Sequence, residues 1–172
     1  LLGTYYLQEG RIDEAEIYLE KTISLAPDAA ESYNNLGLIA KNRGDLPKAQ
    51  RMFEASIHYR PTLTSAYINL AYLILGQGDE EKAQVLLRQS LAVRETEGAY
   101  AALGKLSLLR GQLDEAQEFL DKSLAINPQA SQAYFWYGEL WTARGNPGRA
   151  KDMYREAIRF NPRLSGLVPM DD

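Results

Sequence analysis

Few residues in this chain could support catalysis or bind a metal. It has one histidine, His58, and no cysteine, so neither a familiar zinc site nor a His-based catalytic triad can be assembled from it. The stretch Gly76-Gln77-Gly78 lacks the third glycine and the preceding strand of a phosphate-binding loop. Paired carboxylates such as Glu80 and Glu81 fall at a predicted helix start, where the helix dipole favours them. We therefore expect no enzyme activity, no cofactor and no metal.

A second group of residues is suited to recognition. Asn35 and Asn69 are residues of the same type at a spacing that recurs along the chain, and an amide side chain can both donate to and accept from the backbone of an extended peptide. Tyr72, Phe135 and Trp136 have the character of aromatic anchors in a protein interface. These residues predict binding to a protein or peptide.

The composition limits the class of partner and of fold. The 172 residues are 45% hydrophobic and 24% charged, which is typical of a globular protein. A net charge of −4 argues against a general nucleic-acid partner. No apolar run approaches the length that spans a bilayer, so we expect no membrane insertion. The start, Leu1-Leu2-Gly3, has neither an initiator Met nor a signal peptide and suggests a fragment. We expect a soluble protein, cytoplasmic or periplasmic.

Four kinds of residue recur at intervals of 33 or 34 positions. A small residue in a first helix recurs at Gly3, Gly37, Ala71, Gly104 and Gly138. A turn glycine recurs at Gly10, Gly44, Gly78, Gly111 and Gly145. A small residue in a second helix recurs at Ala15, Ala49, Ala83, Ala116 and Ala150. A terminating residue recurs at Pro27, Pro61, Glu95, Pro128 and Pro162. The pattern predicts pairs of closely packed helices, each joined by a tight turn.

Residues around the turns support this interpretation. Asp45, Asp79 and Asn146 follow a turn glycine, where they can cap the second helix. Pro47 and Pro147 fit the first turn of that helix, which needs no amide donor. One repeat carries Glu95 in place of the terminating proline and is one residue short. We therefore expect a local irregularity near residues 94–98.

The pattern resembles the tetratricopeptide repeat (TPR) family. The likeness is carried by Tyr33, Leu36, Gly37, Gly44, Ala49, Phe53 and Pro61 and by their counterparts in the other repeats. The resemblance implies an all-α fold, an α-solenoid of antiparallel helix hairpins with about five 34-residue units. The expected single array spans 1–172, with a truncated repeat at 1–29, repeats at 30–63, 64–96, 97–130 and 131–164, and a tail at 165–172.

The first helices of such repeats should line an inner groove. A helical wheel places Tyr67, Leu70, Ala71 and Ile74 in the core and Asn69 and Tyr72 on the groove side. The candidate partner-binding residues are Asn35, Asn69, Ile68, Tyr72, Leu75, Lys105, Phe135, Trp136 and Glu139. Ile68, Leu75 and Phe135 could equally pack against the neighbouring first helix, and Trp141 is expected in the core. Lys41 and Lys105 are isolated charges, which argues against a clamp for a C-terminal carboxylate.

The resemblance implies a non-catalytic scaffold or adaptor that holds a peptide or protein segment in this groove. One alternative is self-association end to end, because residues 1–29 carry a net charge of −4 and residues 131–164 carry +3. Another is the regulatory or substrate-recruiting region of a larger enzyme, or a bacterial secretion or envelope assembly protein. The last hairpin has an apolar flank that either further chain or a fold-back of residues 167–170 could cover. We expect further chain.

Overall fold

The computed structural model describes residues 2–168, and it arranges them as a succession of antiparallel helix pairs. The helices in this range are α1 (Leu2–Gln8), α2 (Ile12–Leu25), α3 (Ala30–Asn42), α4 (Leu46–Tyr59), α5 (Thr64–Gly76), α6 (Glu80–Val93), α7 (Glu97–Leu109), α8 (Leu113–Ile126), α9 (Ser131–Ala143) and α10 (Pro147–Phe160), followed by a 3₁₀ turn at Pro162–Gly166. Each odd-numbered helix packs against the next even-numbered one. The predicted all-α fold of antiparallel helix hairpins is therefore confirmed.

Each hairpin turns at a glycine with a positive φ angle, between 70° and 86°. A side chain at such a position would be strained, so the glycine ladder is required by the turn itself. The Asp45 carboxylate then accepts a hydrogen bond from the backbone N–H of Lys48 at 3.0 Å, and Asn146 accepts one from Arg149 at 3.1 Å. These contacts confirm the predicted caps of α4 and α10.

The small residue of the first helix allows the two helices of a hairpin to touch. A Cβ atom added at Gly37 would lie 2.5 Å from Cε1 of Phe53, and Phe53 is fully buried. Glycine at this position therefore leaves the space that the Phe53 ring occupies between α3 and α4.

A buried serine ties the second helix of three hairpins to the start of the first. Ser56 Oγ donates to the carbonyl of Ala30 at 2.9 Å, and Ser123 Oγ donates to that of Glu97 at 2.8 Å. Ser90 makes a longer version of this bond to Thr64. Since the first carbonyls of a helix start its own hydrogen-bond ladder, these bonds fix where α3, α5 and α7 begin relative to their partner helices.

The chain divides into two compact units, Leu1–Val93 and Arg94–Asp172. The first contains α1–α6 and the second contains α7–α10. Whether the two units form the single array predicted from the sequence stays a prediction.

The predicted irregularity lies at the start of the second unit. Thr96 is extended, with φ −135° and ψ 147°, and its side chain caps α7 by accepting from the N–H of Ala99. The Tyr100 hydroxyl donates to the Glu95 carboxylate at 2.8 Å, whereas the Tyr134 hydroxyl, one repeat later, donates to a proline carbonyl. The Glu95 side chain thus replaces the missing proline carbonyl as acceptor.

Ion pairs join neighbouring hairpins within each unit. Arg43 binds Asp13 at 2.6 Å and also binds Glu16. In the second unit Arg144 binds Asp114 at 2.7 Å, and the two partners have the same separation in sequence as Arg43 and Asp13. Part of the charge that the sequence assigns to the two ends is therefore neutralised inside the units.

The segment after α10 covers part of the last hairpin. Val168 is buried in a cluster with Ala150 and Tyr154. The 3₁₀ turn at Pro162–Gly166 extends into the predicted non-helical tail. The fold-back expected as the second alternative is thus present as far as Val168, while residues 169 and 170 lie outside the described range.

Candidate functional site

Neighbouring first helices pack side by side within each unit, α3 against α5 and α7 against α9. On α5 the side predicted to be core is buried: Tyr67, Leu70, Ala71 and Ile74 are all nearly inaccessible. Asn69 and Tyr72 on the opposite side are partly exposed. The burial of these four residues confirms the predicted core side of α5, and the partly exposed side, with Asn69 and Tyr72, is the candidate binding face.

In the first unit the two predicted asparagines have different environments. Asn69 donates from Nδ2 to Oδ1 of the buried Asn34 at 2.9 Å, which links α5 to α3. Asn35, by contrast, is partly exposed on α3. One amide of the predicted pair thus already serves the packing of the unit. If Asn69 also binds the backbone of a peptide, as predicted, its side chain must do so while it keeps the bond to Asn34.

A lysine and a tyrosine meet further along the same pair of helices. The Lys41 ammonium lies 6.0 Å from the centroid of the Tyr72 ring. Ile68 is partly buried, and Leu75 is only 7% exposed. Leu75 therefore offers a partner little surface.

The second unit contains a pocket between α7 and α9 with a volume of about 200 Å³. Three residues come from each helix: Lys105, Leu108, Leu109, Trp136, Glu139 and Ala143. The walls are largely apolar, and a cation and a carboxylate stand on opposite helices. The volume is below the roughly 300 Å³ of the smallest sites for drug-sized ligands, so it fits one side chain of a partner better than a whole cofactor.

The three predicted residues of the second unit that line this pocket are held by specific contacts. The Lys105 ammonium lies 5.0 Å from the centroid of the Trp136 ring. Glu139 accepts a hydrogen bond from the Tyr154 hydroxyl at 2.6 Å. Burial, reinforced by that bond, raises the pKa of the Tyr154 hydroxyl to about 12. Lys105, Trp136 and Glu139 therefore line one pocket, and their role in binding a partner stays a prediction.

Phe135 has a different position from Trp136 although it is adjacent in sequence. Its ring packs edge-on against Trp136, with the ring centroids 4.8 Å apart. It packs at a tilt against Tyr154, with the ring centroids 5.8 Å apart. It also contacts the cluster that includes Val168. Phe135 thus packs within its own hairpin and against Val168, which differs from the predicted packing against the neighbouring first helix, and it does not line the pocket.

Trp136 itself is part core and part surface. Its ring packs against the buried cluster of the second unit and also lines the pocket. Its indole Nε1 is buried and has no acceptor among residues 2–168. Buried donors usually have an acceptor, so the unpaired N–H of Trp136 costs free energy in the folded state.

Trp141, expected in the core, is only partly buried. It packs against the buried clusters on both sides of α9. Two guanidinium groups cover its outer surface, Arg149 at 4.5 Å and Arg144 at 5.2 Å from the ring centroid. The expectation is therefore correct for its inner side, while its outer side is shielded by cations.

Sequence reasoning missed several residues of these surfaces. Asn34 is not among the predicted binding residues, although its bond to Asn69 could be suspected because the two are one repeat and one position apart. Leu109 and Ala143 occupy the last positions of α7 and α9, where a helical wheel alone does not reveal that two neighbouring helices enclose a pocket. Tyr154 was assigned no role, because its contact with Glu139 depends on how α10 packs against α9.

Comparison with known proteins agrees with the hairpin architecture. Family models described as tetratricopeptide repeat match residues 1–29, 18–51, 64–89 and 107–165. The chain belongs to the tetratricopeptide repeat family. No curated protein sequence matches this TPR chain significantly.

Solved structures show the same fold at low sequence identity. The TPR chain is similar to TTC0263, a thermophilic TPR protein of Thermus thermophilus, with 21% identity, a TM-score of 0.82, and coverage of 96% of this chain and 91% of that one. PilW, a type IV pilus biogenesis factor, has 19% identity and a TM-score of 0.78 over 92% of this chain and 74% of its own. YrrB, a TPR protein with an unusual peptide-binding site, has 19% identity and a TM-score of 0.60 over 93% and 83%.

Within the described range, no helix of the TPR chain is long and apolar enough to cross a membrane.

Proposed function

We propose that this chain is a non-catalytic protein-interaction scaffold that binds an extended protein segment along its first helices. Membership of the TPR family and the peptide-binding site of the structurally similar YrrB support this class of function. The observation that carries the proposal for this chain is the preformed pocket between α7 and α9. It takes one apolar side chain of the bound segment, with Trp136 as its wall.

Leu109 supports this assignment because it is an exposed apolar residue that lines the pocket. It ends α7 with 55% of its surface accessible and lines the pocket together with Leu108 and Trp136. Apolar surface beside a concave site is typical of interaction surfaces. Lys105 and Glu139 form a polar rim around the apolar walls, which is the arrangement of a binding hot spot.

The test uses a random dodecapeptide library displayed on phage, followed by calorimetry with the selected peptides in N-acetylated, C-amidated form. The wild type should select peptides with a large apolar residue at one fixed position. Leu109→Glu should weaken the binding of those peptides at least about tenfold, because a carboxylate would be desolvated in the pocket.

A matched control is Ile126→Glu. Ile126 is also the last residue of its helix, α8, and is 44% exposed, but it does not line the pocket. This variant should bind within about twofold of the wild type. Equal losses for both variants, or none for Leu109→Glu, would contradict the pocket assignment.

End-to-end self-association and a role within a larger enzyme or a secretion or envelope assembly protein stay predictions. Sedimentation of the wild type at low and high salt distinguishes the first from the scaffold proposal. A charge-driven assembly dissociates as salt rises, and a chain that is monomeric at every salt concentration would count against self-association.

A further inference from the structure

Lys41 interrupts an apolar position of the repeat. The corresponding residues in the other hairpins are Leu7, Leu75, Leu108 and Thr142, so three of the four are leucine. Lys41 lies in the last turn of α3 and is partly buried. Its stem occupies a site that is leucine in three other hairpins, so its charge lies in a surface that those three hairpins make apolar.

The charge of Lys41 has little compensation within the protein. The face of Tyr72, 6.0 Å away, is at the outer limit of a cation–π contact. No Asp or Glu within residues 2–168 forms an ion pair with it, and burial lowers the pKa of its ammonium with no acidic group acting in the opposite direction. Lys48 in the same unit shows the contrast, because its Nζ binds Glu16 at 2.9 Å.

The position of Lys41 on α3 places it at the seam with α5. Asn34 lies two helical turns earlier on the same side of α3 and bonds across the seam to Asn69. Lys41 approaches Tyr72 across the same seam. A segment that lies along α3 and α5 would therefore meet a polar amide pair at one end and an uncompensated cation at the other.

We propose that Lys41 binds the side-chain carboxylate of an Asp or Glu in the segment held by this protein. A carboxylate would supply the partner that the partly buried ammonium lacks. A polyanion such as nucleic acid fits poorly, because residues 1–93 contain twelve acidic and nine basic residues. This inference rests on the proposed scaffold function and specifies the chemistry of its partner.

The experiment uses those of the selected peptides that carry an Asp or Glu at a recurring position, each made in matched versions with Glu or Gln there. A selection with no recurring acidic position would overturn the inference. All are N-acetylated and C-amidated, so that only a side chain carries the negative charge. Wild type should prefer the Glu peptide about tenfold, an effect typical of a hydrogen bond between charged groups. A version with Gln at that position and a free C-terminus reports whether a terminal carboxylate substitutes, and a recovery of full affinity by that version would overturn the side-chain assignment.

Three variants separate the role of Lys41 from a general charge effect. Lys41→Gln should reduce the preference for the Glu peptide to less than about twofold, and Lys41→Arg should retain most of it. Lys82→Gln, which removes an exposed charge from α6 of the same unit, should leave the preference unchanged. Because the ammonium is partly desolvated in the free protein, Lys41→Gln should not lower the unfolding midpoint.

The outcomes of this experiment are distinct from those of the pocket test. Peptides that bind in a Leu109-dependent way, but with a Glu preference that Lys41→Gln leaves intact, would overturn this inference and leave the scaffold proposal standing. A library that yields no peptide dependent on Leu109 would overturn the pocket assignment, and a library that yields no binding peptide would overturn both proposals.

Discussion

The Lys105 ammonium of α7 lies 5.0 Å from the centroid of the Trp136 ring in α9, the next first helix along the chain. Lys41 and Tyr72 are separated by the same number of positions in sequence and meet between α3 and α5. Residues one full repeat apart occupy equivalent positions on neighbouring first helices. The two residues of each pair are three positions closer in sequence than one repeat, so they are offset by nearly one helical turn from equivalent positions. The recurrence in both units indicates that residues with this separation on first helices tend to meet on the candidate binding face.

Trp136→Ala should destabilise the second unit as well as weaken binding. Trp136 packs against the buried cluster while it lines the pocket, so truncation leaves a cavity and should lower the free energy of unfolding by about 2–4 kcal/mol. Trp136→Phe keeps most of the packing and removes the unpaired indole N–H, so we expect a change below about 1 kcal/mol. Urea unfolding monitored by circular dichroism measures both. A larger loss for Phe than for Ala would contradict this account.

Gly37→Ala should be strongly unfavourable although alanine has the higher helix propensity. The added methyl group would lie 2.5 Å from the Phe53 ring, and the overlap should lower the free energy of unfolding by about 1–3 kcal/mol. Gly148→Ala is the control, because its added methyl group has nothing closer than 3.8 Å, and it should be neutral or stabilising by up to about 1 kcal/mol. Denaturant midpoints of the two variants should therefore shift in different directions or by very different amounts.

The buried tyrosines should make stability fall at alkaline pH. The pKa of Tyr154 is raised to about 12 by burial and by its bond to Glu139, so the folded state retains a proton that the unfolded chain loses near pH 10. The free energy of unfolding should then fall by about 1.4 kcal/mol per pH unit between these two values. Burial also raises the pKa of Tyr137, which adds to the slope. Tyr154→Phe should reduce the slope measured between pH 9 and 11, and an unchanged slope would refute the assignment.

The fold was largely predictable because its determinants are local and repeated. Each of these determinants acts within a few residues: the glycine at each turn, the caps at Asp45 and Asn146, and the proline in the first turn of α4 and of α10. Because these local signals recur at the same spacing, each weak signal is supported by its counterparts in the other repeats. Even the irregular repeat was visible, since Glu95 replaces a proline and its side chain then takes over the bond to Tyr100.

The candidate surface was only partly predictable because it depends on contacts between helices. The sequence placed Lys105, Trp136 and Glu139 on one face, and the structure brings them to one pocket. It left a binding role and a packing role open for Phe135, because the contact of Phe135 with Tyr154 depends on how α10 packs against α9. The Lys41 charge was seen as isolated, but its degree of burial depends on how closely α3 and α5 approach.

Val168 determines which residues of the last hairpin should be moved together when the hairpin is grafted into another repeat protein. Repeat-based boundaries would end the last hairpin at Leu164, yet Val168 covers Ala150 and Tyr154. A hairpin grafted into another repeat protein as residues 131–164 would leave that apolar surface to its new neighbour, whereas residues 131–168 would carry their own cover. The choice between these two lengths decides whether the graft can be extended by a further repeat or terminates the array.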